Sequence, residues 1–239
     1  MDTRYWGPDG WRLLHSIAVT YPERPTKQDK RLYSDFFRSL KLILPCIYCR
    51  NSFSQYIEEI PIHPYLKDRK SLSYWVYLMH NKVNDKLAKQ DLHVEYNDDF
   101  IGIHNKYLRL AKNFNEFQCQ DPVPGWDFIY SVLFNYPKKS SFQSKEPDRY
   151  QAYTDFFYLL AKVLPFPYLR DSLQEHITKY PVENYLSLGR LKQWGHALER
   201  TYCKKVKLLC PNYQDRCYSI ELFRAGCNGK NDPKPTCHI

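Results

Sequence analysis

Glycine is scarce in this sequence: 8 of 239 residues, with no G-x-G-x-x-G pattern. We therefore do not expect a dinucleotide bound through a glycine-rich loop. No run of 18 apolar residues is long enough for a membrane span, and the start, Met1 to Trp6, lacks the apolar core of a secretory signal. These absences predict a cytoplasmic protein without a membrane segment. The net charge of +9 would suit an acidic partner, but charge alone does not indicate nucleic-acid binding, and we expect none.

Strand-like alternation is also hard to find, whereas apolar residues recur at helical spacing through the first half. The pattern predicts an all-α protein whose amino-terminal bundle has four or five helices. In this prediction Pro45 is the first residue of the third helix, and Ser71 caps the fourth. The five segments run from about Pro8 to Tyr21, from Gln28 to Leu44, from Pro45, from Ser71, and from Asp98 to Leu110.

The second half of the sequence echoes the first. Residues 153–177 placed under residues 33–57 give 11 identities in 25 positions without a gap, which predicts an internal duplication of a helical unit. Two unrelated bundles that share aromatic and proline residues are the alternative. The copy differs at its chemically distinctive positions: Phe166 stands for Cys46, Leu169 for Cys49, Tyr130 for His15 and, in a register shifted by one residue, Glu199 for His80.

We divide the chain accordingly. Residues 1–117 are predicted to form the first domain, 118–125 a linker, 126–205 a second all-helical domain that is a degenerate copy without redox function, and 206–239 a cysteine-containing tail. The second domain would support a dimer, dock substrates or stabilise the first domain.

Cys46 and Cys49 are the only cysteines at Cys-x-x-Cys spacing. At a helix start the two side chains project from one face and can form a disulfide, and the helix amino terminus lowers the pKa of a thiol there. A zinc site would need a second close pair of ligands, and a thioredoxin-like site would follow a strand; neither is evident. Two buried cysteines without chemistry remain an alternative.

Four motifs, taken together, resemble the Erv/ALR family of FAD-dependent sulfhydryl oxidases over about residues 5 to 110. They are Trp11-x-x-x-His15, Tyr21-Pro22, Pro45-Cys46-x-x-Cys49 and His80-Asn81-x-Val83-Asn84-x-Lys86-Leu87. The many Lys, Asn and Tyr residues suggest a member from a large DNA virus.

The resemblance implies a five-helix bundle that binds FAD, with Cys46 and Cys49 as the catalytic pair. By analogy the FAD site is lined by residues of the first and fourth helices: Gly7, Trp11, His15, His80, Asn81, Val83, Asn84, Lys86 and Lys89. No metal is expected at this site.

The implied reaction forms disulfide bonds in protein thiols. A substrate thiol, from a protein or a thioredoxin-like carrier, attacks Cys46, and Cys49 passes electrons to FAD and then to dioxygen, which gives hydrogen peroxide. A homodimer is also implied, located in the host cytoplasm or virion if the chain is viral. The rival interpretation is a non-catalytic, cysteine-rich helical module that binds metal or a partner.

The sequence departs from the family at its other cysteines. His93 stands where the first cysteine of a second family disulfide would lie, and no shuttle pair precedes Trp6. Structural disulfides or a shuttle role are both open for the six remaining cysteines, which are Cys119, Cys203, Cys210, Cys217, Cys227 and Cys237.

Overall fold

The protein is described here by a computed structural model that covers residues 3–90, 99–113, 125–137 and 142–223. Over these ranges it has twelve α-helices, one 3₁₀ turn and no strand, so the all-α prediction is confirmed. The helices are α1 (Thr3–Val19), α2 (Lys27–Ile43), α3 (Ile47–Glu59), α4 (Arg69–Ala88), α5 (Phe100–Lys112), α6 (Trp126–Phe134), α7 (Phe142–Lys145), α8 (Pro147–Val163), α9 (Pro167–Lys179), α10 (Val182–Ser187), α11 (Leu191–Val206) and α12 (Tyr213–Glu221), and the 3₁₀ turn is His63–Tyr65.

Three predicted helix starts are wrong by a few residues. Helix α1 begins at Thr3 rather than at Pro8, which lies inside the helix. Helix α3 begins at Ile47 rather than Pro45, because Cys46 is the extended N-cap residue, with φ −112° and ψ 133°. The cap of α4 is Asp68 rather than Ser71: the Asp68 carboxylate accepts the backbone N–H of Ser71 at 2.7 Å. A carboxylate there also interacts favourably with the helix dipole, which a serine hydroxyl does much less.

The two halves of the chain share one hydrophobic core. Helix α2 packs along α8, and α1 packs against both α4 and α6. At the α2–α8 contact the rings of Phe36 and Phe156 lie nearly parallel, with centroids 6.0 Å apart. Both side chains are fully buried in a single apolar cluster that includes residues of both halves. The second half therefore forms much of the surface against which the first half folds.

Matched contacts support the internal duplication. In the first half the indole Nε1 of Trp75 donates to the carbonyl of Ile60 at 2.8 Å. In the second half Trp194 donates to the carbonyl of Tyr180 at the same distance. Both indoles are fully buried, so each bond satisfies a donor that would otherwise be costly to bury. The equivalent positions thus keep the same structural role in both halves.

The chemically distinctive positions form a contacting pair of side chains in each half. His15 Nε2 and His80 Nδ1 lie 3.2 Å apart in the first half. In the second half the hydroxyl of Tyr130 donates to the carboxylate of Glu199, which also pairs with Arg216. The Arg216 guanidinium lies over the Tyr130 ring, 5.1 Å from its centroid. In the second half a side chain of α12 therefore contacts both residues that replace the histidine pair.

We expect Glu199→Ala to destabilise the protein by about 2–4 kcal/mol in urea unfolding, because it leaves Arg216 and the Tyr130 hydroxyl without their shared acceptor. The Glu199 side chain is only 7% exposed. The matched control is Glu175→Ala, which removes an exposed ion pair with Lys205 and should have a much smaller effect. Equal effects of the two substitutions would contradict a structural role for the buried pair.

Parts of the predicted division lie outside the described residues: linker residues 118–124, His93, Cys119, Cys227 and Cys237. The domain boundaries remain predictions. Cys203 at the end of α11 is hydrogen-bonded to Cys210, and Cys217 to the hydroxyl of Tyr213. Among the described helices, none is both long and apolar enough to cross a membrane.

Candidate functional site

Cys46 and Cys49 lie at the amino terminus of α3, and their sulfur atoms are hydrogen-bonded. Cys46 is buried, at 6% exposure, and Cys49 is half-buried. The pKa of Cys46 is lowered to about 6, first by the hydrogen bond from the Cys49 thiol and then by the backbone N–H groups of Cys49 and Tyr48. Unpaired N–H groups at a helix start stabilise an anion in this way. In the reduced pair Cys46 is thus the thiolate.

The same hydrogen bond acts oppositely on the partner. The pKa of Cys49 is raised, first by its bond to Cys46, then by burial and by the Cys46 charge. The cations of Lys86 and Arg50 act the other way and favour a Cys49 thiolate. When the Cys46 sulfur is tied up in a disulfide with another molecule, its charge is gone and only the burial opposes these two cations. Cys49 is then better able to carry the negative charge.

Lys86 connects α4 to the cysteine helix. Its Nζ donates to the hydroxyl of Ser52 on α3 at 2.7 Å. Helix α4 also carries His80, six residues earlier, which corresponds to about 9 Å along a helix axis. Helix α4 therefore carries both Lys86, near the cysteine pair, and His80, less than two turns away.

Three predicted cofactor residues form a cluster between α1 and α4. The rings of Trp11 and His80 stack with centroids 4.2 Å apart and an interplanar angle of 12°. His15 joins them through its 3.2 Å contact between Nε2 and Nδ1 of His80. Trp11 and His15 face the same side because they are four residues apart on α1. The cluster offers flat ring surfaces together with hydrogen-bonding nitrogens.

Both histidines of the cluster are neutral near pH 7. Burial lowers the pKa of His15 to about 3, with a further contribution from His80. Burial also lowers the pKa of His80 to about 4. A neutral imidazole provides one donor and one acceptor. The pair can therefore hydrogen-bond a polar ring edge without placing a positive charge in the core.

Tyr107 is a member of this cluster that the sequence did not reveal. Its ring stacks on His15 with centroids 4.8 Å apart at 12°, and burial raises the pKa of its hydroxyl. Phe100, His104 and Tyr107 are spaced four and three residues apart on α5, which is the one-face spacing of a helix. That aromatic spacing could have identified Tyr107.

For the remaining predicted cofactor residues, the structure gives the helix position and the burial. Asn84 is buried at 8% exposure, on the same face of α4 as His80. Lys89 is the exposed C-cap of α4, and nothing in the described structure places it against the ring cluster. The half-buried positions are Gly7 on α1 and Asn81 and Val83 on α4. Their contact with a cofactor remains a prediction.

Two residues of the second half reach the turn before Cys46, which sequence reasoning missed. Asn135 donates its side-chain amide to the carbonyl of Pro45. Arg149 donates Nε to the carbonyl of Leu42 at 3.1 Å. Nothing in the local sequence signals these contacts, because they arise from packing between residues about 90 and 107 positions apart.

The donor set fits FAD. Flat rings of Trp11, His80 and Tyr107 suit an aromatic heterocycle, and the neutral imidazoles and Asn84 suit its polar edges. Lys86 supplies a cation near Cys49. By contrast, the described residues place no third candidate metal ligand beside Cys46 and Cys49; the grouping found is His196, Glu199 and Cys210. There Arg216 occupies both carboxylate oxygens of Glu199, which favours an ion pair over a metal.

The fold and site define a helical-bundle protein with a Cys-x-x-Cys pair at a helix start beside a tryptophan–histidine cluster. The sequence model of the Erv1 / Alr family matches residues 8–106. The chain is also 30% identical over 125 residues to an FAD-linked sulfhydryl oxidase of African swine fever virus, and the match covers 52% of this chain and 98% of the relative. This chain belongs to the Erv1/Alr family.

Other relatives match over shorter stretches of the chain. It is 40% identical over 88 residues to the mitochondrial FAD-linked sulfhydryl oxidase ERV1 of Saccharomyces cerevisiae, covering 37% of this chain and 46% of the yeast protein. It is 36% identical over 93 residues to a probable FAD-linked sulfhydryl oxidase of Acanthamoeba polyphaga mimivirus, covering 38% and 65%. The chain thus spans less than two thirds of the length of these two relatives.

Proposed function

We propose that this chain is an FAD-dependent sulfhydryl oxidase that forms disulfide bonds in protein thiols. One observation carries the proposal: Cys46 and Cys49, with opposite pKa shifts, lie beside the helix that holds Lys86 and His80. The names of the relatives agree with it. FAD, when bound, accepts an electron pair and returns it to dioxygen as hydrogen peroxide.

The protein's residues divide the thiol chemistry between them. A substrate thiolate attacks the sulfur of Cys46, a bond forms between the two sulfurs, and the Cys46–Cys49 bond breaks with its electron pair on Cys49. Lys86 and Arg50 favour that thiolate. A second substrate thiol then attacks the mixed disulfide, which releases the substrate as a disulfide and leaves Cys46 as a thiolate at the start of α3. Cys49 is the residue that faces the cofactor-binding helix.

The substrates are protein dithiols or a thioredoxin-like carrier. Ile47 and Tyr48, next to the pair, are 54% and 47% exposed, and they offer an apolar surface to an approaching protein. A homodimer, a host-cytoplasmic or virion location and a viral source are further parts of the proposal. Since α8 of the same chain covers one face of α2, a homodimer would use another surface, and light scattering of the purified protein tests it.

The test is a visible spectrum of the purified protein with an oxygen-electrode trace in dithiothreitol. We expect flavin absorption, oxygen consumption and hydrogen peroxide in equal amount to the oxygen consumed. A colourless protein that contains stoichiometric zinc would instead support the metal-binding or interaction module. A yellow protein without oxygen consumption would refute the oxidase activity while leaving the flavin site.

A further inference from the structure

Three backbone carbonyls lie at the end of helix α2 and just after it, before the redox pair. They belong to Leu42, Leu44 and Pro45, and each accepts a bond from a side chain. The last carbonyls of a helix have no intrahelical partner, so such donors matter there. The hydrogen-bond donors to these three carbonyls therefore fix the position of the turn that leads into α3.

Only one of the three donors belongs to the first half. Arg50 Nη1 of α3 donates to the Leu44 carbonyl at 2.7 Å. The other two donors come from the second half: the Arg149 guanidinium on α8 and the Asn135 amide at the end of α6. Two side chains of the second half are therefore hydrogen-bonded to the backbone of the segment immediately before Cys46.

Among the described residues, the second half shows the local part of this arrangement. Arg170 Nη1 donates to the Leu164 carbonyl at 3.4 Å, which matches the Arg50 bond at the equivalent turn. Phe166 is the N-cap residue there, in place of Cys46. Arg50 and Arg170 thus have a shared structural role, whereas Asn135 and Arg149 act on the turn that carries a cysteine.

We propose that Asn135 and Arg149 are positioning residues of the redox pair: from the second half, they hold the turn before Cys46 and so keep its sulfur at the amino terminus of α3. This gives the second half a direct part in the chemistry of the first. The inference rests on the proposed function, because the Cys46 sulfur that the two residues position is the atom that substrate thiols attack in the proposed reaction.

The charges around the turn also link Arg149 of the second half to Arg50, next to the redox pair. Burial lowers the Arg50 pKa most and the nearby Arg149 guanidinium lowers it further, whereas the charges of Tyr153 and of the Cys46 thiolate raise it. A cation at the carboxyl end of α2 also suits the helix dipole. Among the described residues, Cys49 acts on Cys46, Lys86 and Arg50 act on Cys49, and Glu146, Arg149 and Tyr153 from the side of α8 act on Arg50.

The experiment measures how fast iodoacetamide modifies Cys46 in the reduced full-length protein between pH 4 and 9, with peptide mapping to locate the adduct. The folded state lowers the Cys46 pKa, so reactivity is present above the midpoint and is lost as the pH falls through it. For the unchanged protein we expect the midpoint at about 6, the pKa to which Cys46 is lowered. In Asn135→Ala and Arg149→Ala we expect it to rise by about 0.5 to 1 unit.

The matched controls are Asn184→Ala, an exposed asparagine on α10, and Arg170→Ala at the equivalent turn of the second half. Both should leave the midpoint unchanged. Asn135→Leu and Arg149→Met keep the packing volume and remove the donors, so they replace any alanine variant that fails to fold. An unchanged midpoint in folded variants at both positions, or an equal rise in the controls, would overturn the proposal.

This readout is separate from the oxidase activity. The alkylation midpoint needs neither flavin nor turnover, so it can be measured even if the chain proves not to oxidise thiols. Oxygen consumption of the unchanged protein tests the proposed function by itself. A raised midpoint together with a lower kcat at unchanged KM for dithiothreitol is the full result expected for positioning residues.

Discussion

Cys49→Ala should lower oxygen consumption with dithiothreitol by about a thousandfold or more while the purified protein stays yellow. The loss is this large because no other described cysteine adjoins both Cys46 and α4, so the electron pair has no route from the substrate disulfide. Initial rates from an oxygen electrode at equal flavin concentration give the ratio. Cys46→Ala should behave in the same way, because the two sulfurs act as one unit.

Cys210→Ala is the control for the cysteine substitutions. Cys210 is half-buried and contacts Cys203 in the second half, so its loss should leave the flavin and the rate near those of the unchanged protein. A Cys49→Ala protein that retains a tenth or more of the activity would exclude this pair as the redox centre. An equal loss in Cys210→Ala would assign the C-terminal region to the electron path.

Trp11→Ala should weaken FAD binding by about 10- to 100-fold, because stacking of a heterocycle on an aromatic side chain contributes about 1 to 3 kcal/mol. The Trp11 indole lies flat against His80 in the ring cluster. Removing it also leaves the imidazole without its neighbour. Fluorescence titration of the apoprotein with FAD measures the dissociation constant.

The second half offers a matched tryptophan. Trp126 is the residue of the second half that aligns with Trp11, but it packs against Tyr130 and Tyr202 beside the Glu199–Arg216 pair. Trp126→Ala should lower thermal stability and leave the FAD dissociation constant unchanged. If Trp126→Ala weakens FAD as much as Trp11→Ala does, the cofactor lies elsewhere than the proposed cluster.

Much of the fold follows from local sequence. The periodic apolar residues of α2 and the capping box of Thr26 and Asp29 set that helix within one residue of its predicted start. The predicted start of α3 was wrong because proline fits both the first turn of a helix and the residues just before it. Only the observed backbone shows that Cys46, with its extended conformation, is the cap.

The candidate site was predictable where its members lie on one helix. Trp11 and His15 are four residues apart, and the Cys-x-x-Cys spacing places two sulfurs at one helix start. The contact of His15 with His80 spans 65 residues, and it became an expectation only through the family motifs. Tyr107 was missed because a tyrosine on an amphipathic helix is more often ordinary core than ligand contact.

The sequence by itself determined the main helices of the amino-terminal bundle and the cysteine pair, since these depend on spacings within one or two turns of chain, and the repeat, since it shows as identities between the two halves. Tertiary structure alone decided that residues of α8 and of the end of α6 reach the turn before Cys46, and that Arg216 packs against Tyr130 and Glu199, which stand at the positions of the two histidines. Those contacts join residues distant in the chain, and they follow from how two helical units bury their apolar faces against each other.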